Sequence, residues 1–187
     1  MVGADGLGRC AWAGSTADYL DYHDHEWGTP VHGETPLFER LTLEGFQSGL
    51  SWLTILRKRE GFRAAFAGFD ADAVARFGDR DVERLMADAS IVRNRRKIQA
   101  AITNAAAVQR LRTLGGLDEV FWSAAPAHHT PPAVLADVPA STPASVALTR
   151  ALKGHGFVWV GPTTMYAAMQ ACGVVNDHVR GCHRSVG

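Results

Sequence analysis

Four side chains able to bind a metal sit near the two ends of this chain, Cys10 with His23 and His178 with Cys182, and more than 150 residues separate the couples. Neither couple completes a four-ligand site alone, so a shared ion would tie the N-terminal segment to the C-terminal one and fix how they pack. Together they form a Cys2His2 set, which a single structural zinc ion would suit. Three residues lie between His178 and Cys182, a common ligand spacing, whereas twelve separate Cys10 from His23. The spacing therefore leaves another reading open, in which Cys10 and Cys182 are buried small apolar residues and the histidines make ordinary hydrogen bonds. Cys172, in an apolar stretch, reads that way on its own.

A chain of 187 residues with 47% hydrophobic and 20% charged residues can bury a substantial core without a disulfide framework. One domain over residues 1–187 is expected, with two small helical lobes possible and the terminal segments sharing one of them. Three cysteines, the lack of a basic region followed by an apolar run at the N-terminus, and the lack of any membrane-length apolar segment predict a reducing cytoplasm and no membrane partner. A formal net charge of zero neither requires nor excludes a polyanionic partner, because the placement of charge decides that. Here Arg93, Arg95, Arg96 and Lys97 form one basic run and Arg57, Lys58 and Arg59 another. Asp18, Asp21, Asp24 and Glu26 make the N-terminal region acidic.

Helix start and stop signals recur and strand-like alternation is almost absent, which predicts an all-α fold. Thr35 and Pro36 read as N-cap and first helical residue ahead of Leu37, Phe38 and Leu41; Thr142 and Pro143 do the same ahead of Val146 and Leu148, with Gly154 as the stop. Further helices are expected over about 51–66, 71–77, 81–87, 95–113 and 162–172. The stretch from Ala124 to Ala140, carrying Pro126, Pro131, Pro132 and Pro139, reads as an irregular surface connection.

Continuing the apolar stripe of Leu37 and Leu41 along its helix leads to Glu44, then to Gln47 and Ser48. A carboxylate on an apolar face needs either a partner inside the fold, the commoner outcome, or a cavity that receives a polar ligand. Trp12, Tyr19, Tyr22, Trp27 and Trp52 all fall close to it in sequence. Aromatic walls and one carboxylate suit a planar heterocycle, and this is how enzymes hold a base extruded from a duplex; each ring taken singly fits a core position equally well. Between two expected helices, the segment from Asp88 to Arg95 would present backbone N–H groups beside several cations, an arrangement that binds phosphate or, more often, is only a solvated helix end.

These residues as a set resemble the 3-methyladenine DNA glycosylase I family of bacterial repair enzymes across nearly the whole chain. The resemblance is carried by Arg9-Cys10-Ala11-Trp12, by Tyr22-His23-Asp24-His25-Glu26-Trp27-Gly28, by Leu43-Glu44-Gly45-Phe46-Gln47-Ser48-Gly49-Leu50-Ser51-Trp52, and by Met169-Gln170-Ala171-Cys172-Gly173-Val174-Val175-Asn176-Asp177-His178. It implies a helix-hairpin-helix glycosylase fold and a structural zinc held by Cys10, His23, His178 and Cys182. It further implies excision of 3-methyladenine from alkylated double-stranded DNA, with Glu44 recognising the base and Tyr22 and Trp52 lining its pocket; Trp12, Tyr19, Trp27 and Gln47 are candidate substrate contacts beside them. Gly49 and Leu50 resemble the wedge that enters the base stack, and the region from Asp88 to Lys97 looks like the DNA-binding hairpin, with Arg93, Arg95, Arg96 and Lys97 as its cations. A monomer needing no obligate protein partner is expected.

Two departures stand out, since Ser90 and Arg96 occupy positions where the family's hairpin usually has glycine. Serine disfavours positive φ, which predicts altered or weaker DNA binding. Asp177 is assigned a structural role, as a partner of the adjacent His178 or a helix-end cap. Two rivals remain at this stage: a zinc hydrolase built on His23 and His25, which the remote cysteines argue against, and a module that binds lesions without cleaving them.

Overall fold

The computed structural model describes residues 1–185. After a 3-10 turn at Ala11–Ser15 come nine α-helices: α1 (Ala17–His25), α2 (Glu34–Gln47), α3 (Trp52–Ala65), α4 (Ala71–Ala75), α5 (Asp79–Ala87), α6 (Arg95–Leu111), α7 (Gly116–Trp122), α8 (Pro143–Gly154) and α9 (Pro162–Ala171). The described residues form no named strand, only an isolated bridge between Val2 and Gly8. The all-α expectation holds.

Capping explains most boundaries. Ser51 accepts from the Thr54 N–H at the head of α3, Asn94 from Lys97 N–H at α6, and Thr142 from Ser145 N–H at α8, each satisfying a donor that the first turn leaves free. Pro143 and Pro162 sit in first turns, where a missing N–H costs nothing. The head of α2 differs from expectation. Its N-cap is Gly33 at φ +93°, whose N–H donates to Asp118 Oδ1 at 2.7 Å, so the helix begins at Glu34 and contains Thr35 and Pro36. The contact across to α7 and an acid in the first turn favour the earlier start. Neither α1 nor α7 was expected, and 124–140 is irregular apart from a 3-10 turn at Leu135–Asp137.

Helix α2 is the central post. It packs against α3, α6, α7 and α9, burying Leu37, Phe38, Leu41, Leu43 and Phe46. Phe46 meets Phe62 edge-on, and Phe62, Phe66 and Phe69 stack in succession beneath it. This rigid floor fixes the rotation of α2, and with it the direction in which Glu44 projects.

Lys97 completes the C-terminal end of the post. It is buried, and its Nζ donates to Phe46 O at 2.8 Å and Ser48 O at 2.6 Å, two carbonyls that the end of α2 leaves unpaired. Expected from the sequence as a DNA-binding cation, it is here turned inward as a cap for the helix carrying Glu44. Lys97→Ala is expected to cost roughly 2–4 kcal/mol in urea unfolding, because two carbonyls lose their donor inside the fold. Arg96→Ala, at an exposed position, should stay within about 0.5 kcal/mol of the parent.

Candidate functional site

The two ends of the chain do meet. The ligand atoms of Cys10, His23, His178 and Cys182 all lie within 4.8 Å of one another, and all four residues are buried. His23 Nε2 is 3.2 Å from His178 Nδ1, and the sulfur-to-nitrogen separations recorded are 3.4, 3.5 and 3.7 Å. A tetrahedral zinc with ordinary bond lengths requires roughly 3.4 Å between nitrogens and 3.6 Å between sulfur and nitrogen, so the set fits that ion. The outer ring nitrogens are engaged as such a site needs: His23 Nδ1 lies 2.8 Å from Asp24 Oδ1 and His178 Nε2 lies 3.0 Å from Trp27 O. Those contacts leave the inner nitrogens free to ligate. Gly28, at φ +78°, permits the close approach; a Cβ there would stand 2.9 Å from His178 Nε2. His25 takes no part, being exposed and paired with Asp21. A hydrolase centre built on both histidines is thereby removed.

A cavity of about 510 Å³ opens beside this cluster. Trp12, Tyr19, Tyr22, Trp27, Glu44, Gln47 and Trp52 all line it, so every candidate substrate contact named from the sequence is brought together. Ser15, Leu135, Val138, Ala167, Gln170 and Asp177 complete the wall. The aromatic side is a single packed assembly: Trp12 meets Tyr19 and Trp27 edge-on at 5.6 and 5.2 Å, and Tyr22 meets Trp52 at 5.5 Å. It rests on the Cys2His2 cluster, since Trp12 also packs on His23 and Trp27 on His178. Tyr19 accepts from the Leu53 N–H at 3.0 Å, which joins α1 to the head of α3.

Glu44 is buried at 4% exposure, and its Oε2 has no hydrogen-bond partner. The commoner outcome, an internal partner, is not the one adopted; the carboxylate faces the cavity. Burial pushes its carboxyl up to about 8, against the pull of Arg40 one turn earlier. Arg40 gives Glu44 no hydrogen bond, because its Nη2 is drawn to Glu26 Oε2 at 2.8 Å. Burial would raise the Glu26 carboxyl too, but Arg59 and Arg40 hold it down at about 2. Burial and the nearby Glu44 push the Tyr22 phenol upward, so it stays protonated. The Trp52 indole Nε1 is likewise buried without a partner. One unpaired donor and one unpaired carboxylate oxygen among aromatic rings define a site for a flat, polar ring.

Asp177 is also placed differently from expectation. Its carboxylate neither contacts His178 nor caps a helix; Oδ2 receives the Tyr166 hydroxyl and Gln170 Nε2, each at 2.6 Å, and Oδ1 lies 3.0 Å from His129 Nε2. Sequence reasoning missed Gln170, Leu135 and Val138 altogether. The last two lie in the proline-rich connection, which carries no periodicity to mark an inward face.

The basic segment is dispersed. Arg93 and Arg96 are exposed, Arg95 makes a two-pronged pair with Glu83 at 2.7 and 3.0 Å, and Lys97 is internal. Neither Ser90 nor Arg96 is among the residues with positive φ, so the strain expected from the missing glycines is not present. Asp88 instead holds the turn by accepting from the Ser90 N–H and Oγ, and Gly61 gives Ser90 room to pack, since a Cβ there would come within 2.7 Å of Ser90 O. Gly49 at φ +82° and the half-exposed Leu50 form an open turn between α2 and α3. A groove of about 260 Å³, lined in part by Glu44, Gln47, Gly49, Leu50, Thr163 and Thr164, runs from that turn to the first turn of α9.

The described residues form an all-helical frame whose N- and C-terminal segments meet at four Cys and His residues, with a carboxylate set in an aromatic cavity that suits a planar heterocycle. The chain belongs to the methyladenine glycosylase family, whose model matches residues 12–185. It is 48% identical to DNA-3-methyladenine glycosylase 1 of Escherichia coli, over 93% of this chain and 95% of that one. A crystal structure of a 3-methyladenine DNA glycosylase I superimposes with a TM-score of 0.90 at 46% identity, covering 94% and 98% of the two chains. The enzyme of that name from Staphylococcus aureus, whose structure addresses 3-methyladenine recognition, gives a TM-score of 0.90 at 31% identity, covering 97% and 98%. No helix among the described residues is long and apolar enough to cross a membrane.

Proposed function

We propose that the protein is a monofunctional DNA-3-methyladenine glycosylase that draws the damaged nucleotide out of duplex DNA, seats the base in the aromatic cavity and hydrolyses its glycosidic bond. The observation that carries this reading is the unpaired Glu44 oxygen facing the aromatic walls in a chain of this family. Methylation at N3 places a positive charge on the base in DNA and weakens the glycosidic bond, so the base leaves as a neutral molecule with little need of acid catalysis. The cavity's contribution is then to stack the ring against the aromatic wall that includes Tyr22 and Trp52 and to set a hydrogen-bonding carboxyl against it, favouring the dissociating state over intact adenine. A zinc ion on Cys10, His23, His178 and Cys182 would have all four positions filled and would serve the fold; it would hold no activated water.

Leu50 on its open turn suits the role of a wedge in the base stack. The expected hairpin at Asp88 to Lys97 retains only Arg93 and Arg96 as exposed, unpaired cations. The connection from α8 to α9 fits backbone binding better. It has Gly156 at φ +88°, it is held by Asn104, which both accepts from Val158 N–H and donates to Val158 O, and it delivers Thr163 and Thr164 to the groove beside Leu50. The first turn of α9 offers free N–H groups there, a phosphate-binding arrangement.

The test is to incubate the purified protein with methylated duplex DNA and identify the released bases by chromatography. Release of 3-methyladenine is expected. Binding to such DNA with no base released would favour the lesion-binding rival instead.

A further inference from the structure

Gln170 lines the cavity near the end of α9, and its amide is held by an unusually well-anchored carboxylate. Asp177 is 3% exposed, and its Oδ2 receives both the Tyr166 hydroxyl and Gln170 Nε2. On the other side, Oδ1 meets His129 Nε2 from the 124–140 connection. A carboxylate only accepts, so the Gln170 amide must turn its NH2 group toward Asp177; the flipped amide would set two oxygens against each other. With that group committed, Oε1 is the free polar atom of Gln170 at the cavity, and no donor among the described residues reaches it.

We propose that Gln170, locked in one orientation by Asp177, accepts a hydrogen bond from the C6 substituent of the bound purine and so selects an exocyclic amino group over a carbonyl. The inference rests on the glycosylase reading and deepens it, making the site specific for adenine-type rather than guanine-type or hypoxanthine-type bases. An adenine presents a donor at C6, whereas guanine and hypoxanthine present an acceptor. Against an acceptor that cannot flip, a C6 carbonyl leaves two acceptors facing each other out of water. Asp177, Tyr166 and His129 act through Gln170 and are positioning residues.

The experiment titrates the pocket's tryptophan fluorescence with free 3-methyladenine and free 3-methylhypoxanthine, which carry an amino group and a carbonyl at C6, using the parent protein, Gln170→Met and Asp177→Asn. The parent is expected to prefer 3-methyladenine by at least about tenfold, and Gln170→Met to erase roughly that factor. Asp177→Asn lets the amide flip, because asparagine offers either a donor or an acceptor, so it too should flatten the preference, with no further change when combined with Gln170→Met. A purely structural role would lower both affinities by one common factor and leave their ratio alone. A ratio unchanged in a folded Gln170→Met overturns the proposal; if that variant does not fold, an unchanged ratio in Asp177→Asn does so. A parent that binds neither base removes the glycosylase reading and this inference together, whereas one that binds both bases equally removes only this inference.

Discussion

Glu44→Gln should cut release of 3-methyladenine by roughly 10² or more while leaving the fold intact, because the base enters from DNA as a cation and glutamine cannot supply the opposing charge. Burial pushes the Glu44 carboxyl up to about 8, which favours its protonated form near neutrality. An arriving cation draws that value down and lets the group ionise. The same substitution carries a stability signature of opposite sense. The folded value of about 8 lies above the ordinary value of 4.5, so between those pH values the folded state keeps a proton that the unfolded chain has released. This contribution to stability is complete below pH 4.5 and is lost as the pH rises through about 8. Glutamine does not titrate, so denaturant melts should show the variant gaining on the parent as pH rises, by up to roughly 4–5 kcal/mol above pH 8. Undiminished base release, or a stability gap that does not widen with pH, would remove Glu44 from its assigned place.

The second large effect concerns the clasp. Stripping metal with a chelator is expected to cost on the order of 5 kcal/mol and to lower the melting temperature by roughly 10–20 °C, since bonds to a shared ion would join segments far apart in the chain. Cys182→Ser should do the same without a chelator. Because Trp12 and Trp27 lean on His23 and His178, the pocket's tryptophan emission should shift along with the loss of metal. Elemental analysis at one zinc per chain, lost in step with the fall in melting temperature, is the expected result. A chelated protein that melts unchanged would return the four residues to ordinary core and hydrogen-bonding duty.

Much of this site was legible in the sequence because its signals are local. Glu44 follows Leu41 and Leu37 on one helical stripe, and the five aromatic residues crowd into a short span, so period and composition sufficed. Lys97 shows where such reasoning fails: the four cations between Arg93 and Lys97 look alike in one dimension, and only the meeting of α6 with the end of α2 decides which of them turns inward. The Asp88–Ser90 turn was misjudged for a related reason: it needs no positive φ at Ser90, and the room for the serine comes from Gly61, distant in sequence. Asp177 was judged by its neighbour His178, whereas its true partners arrive from α9 and from the irregular connection. Helices α1 and α7 escaped for local reasons: α1 is dominated by polar and aromatic residues with no regular apolar stripe, and α7 begins at the Gly115-Gly116 pair, which reads as a loop.

The joining of the chain's ends also orders events in time. Trp12 stands two positions after Cys10, Asp177 directly before His178, and Cys182 beyond both, so a ribosome must deliver nearly the whole described chain before the cavity can close. Translation that stops before His178 leaves Cys10 and His23 without either of their counterparts and Trp27 without the ring it packs on. A copy whose translation ends before His178 is thus expected to lack a closed cavity, and base release by such a copy would show that the joining of these segments is dispensable.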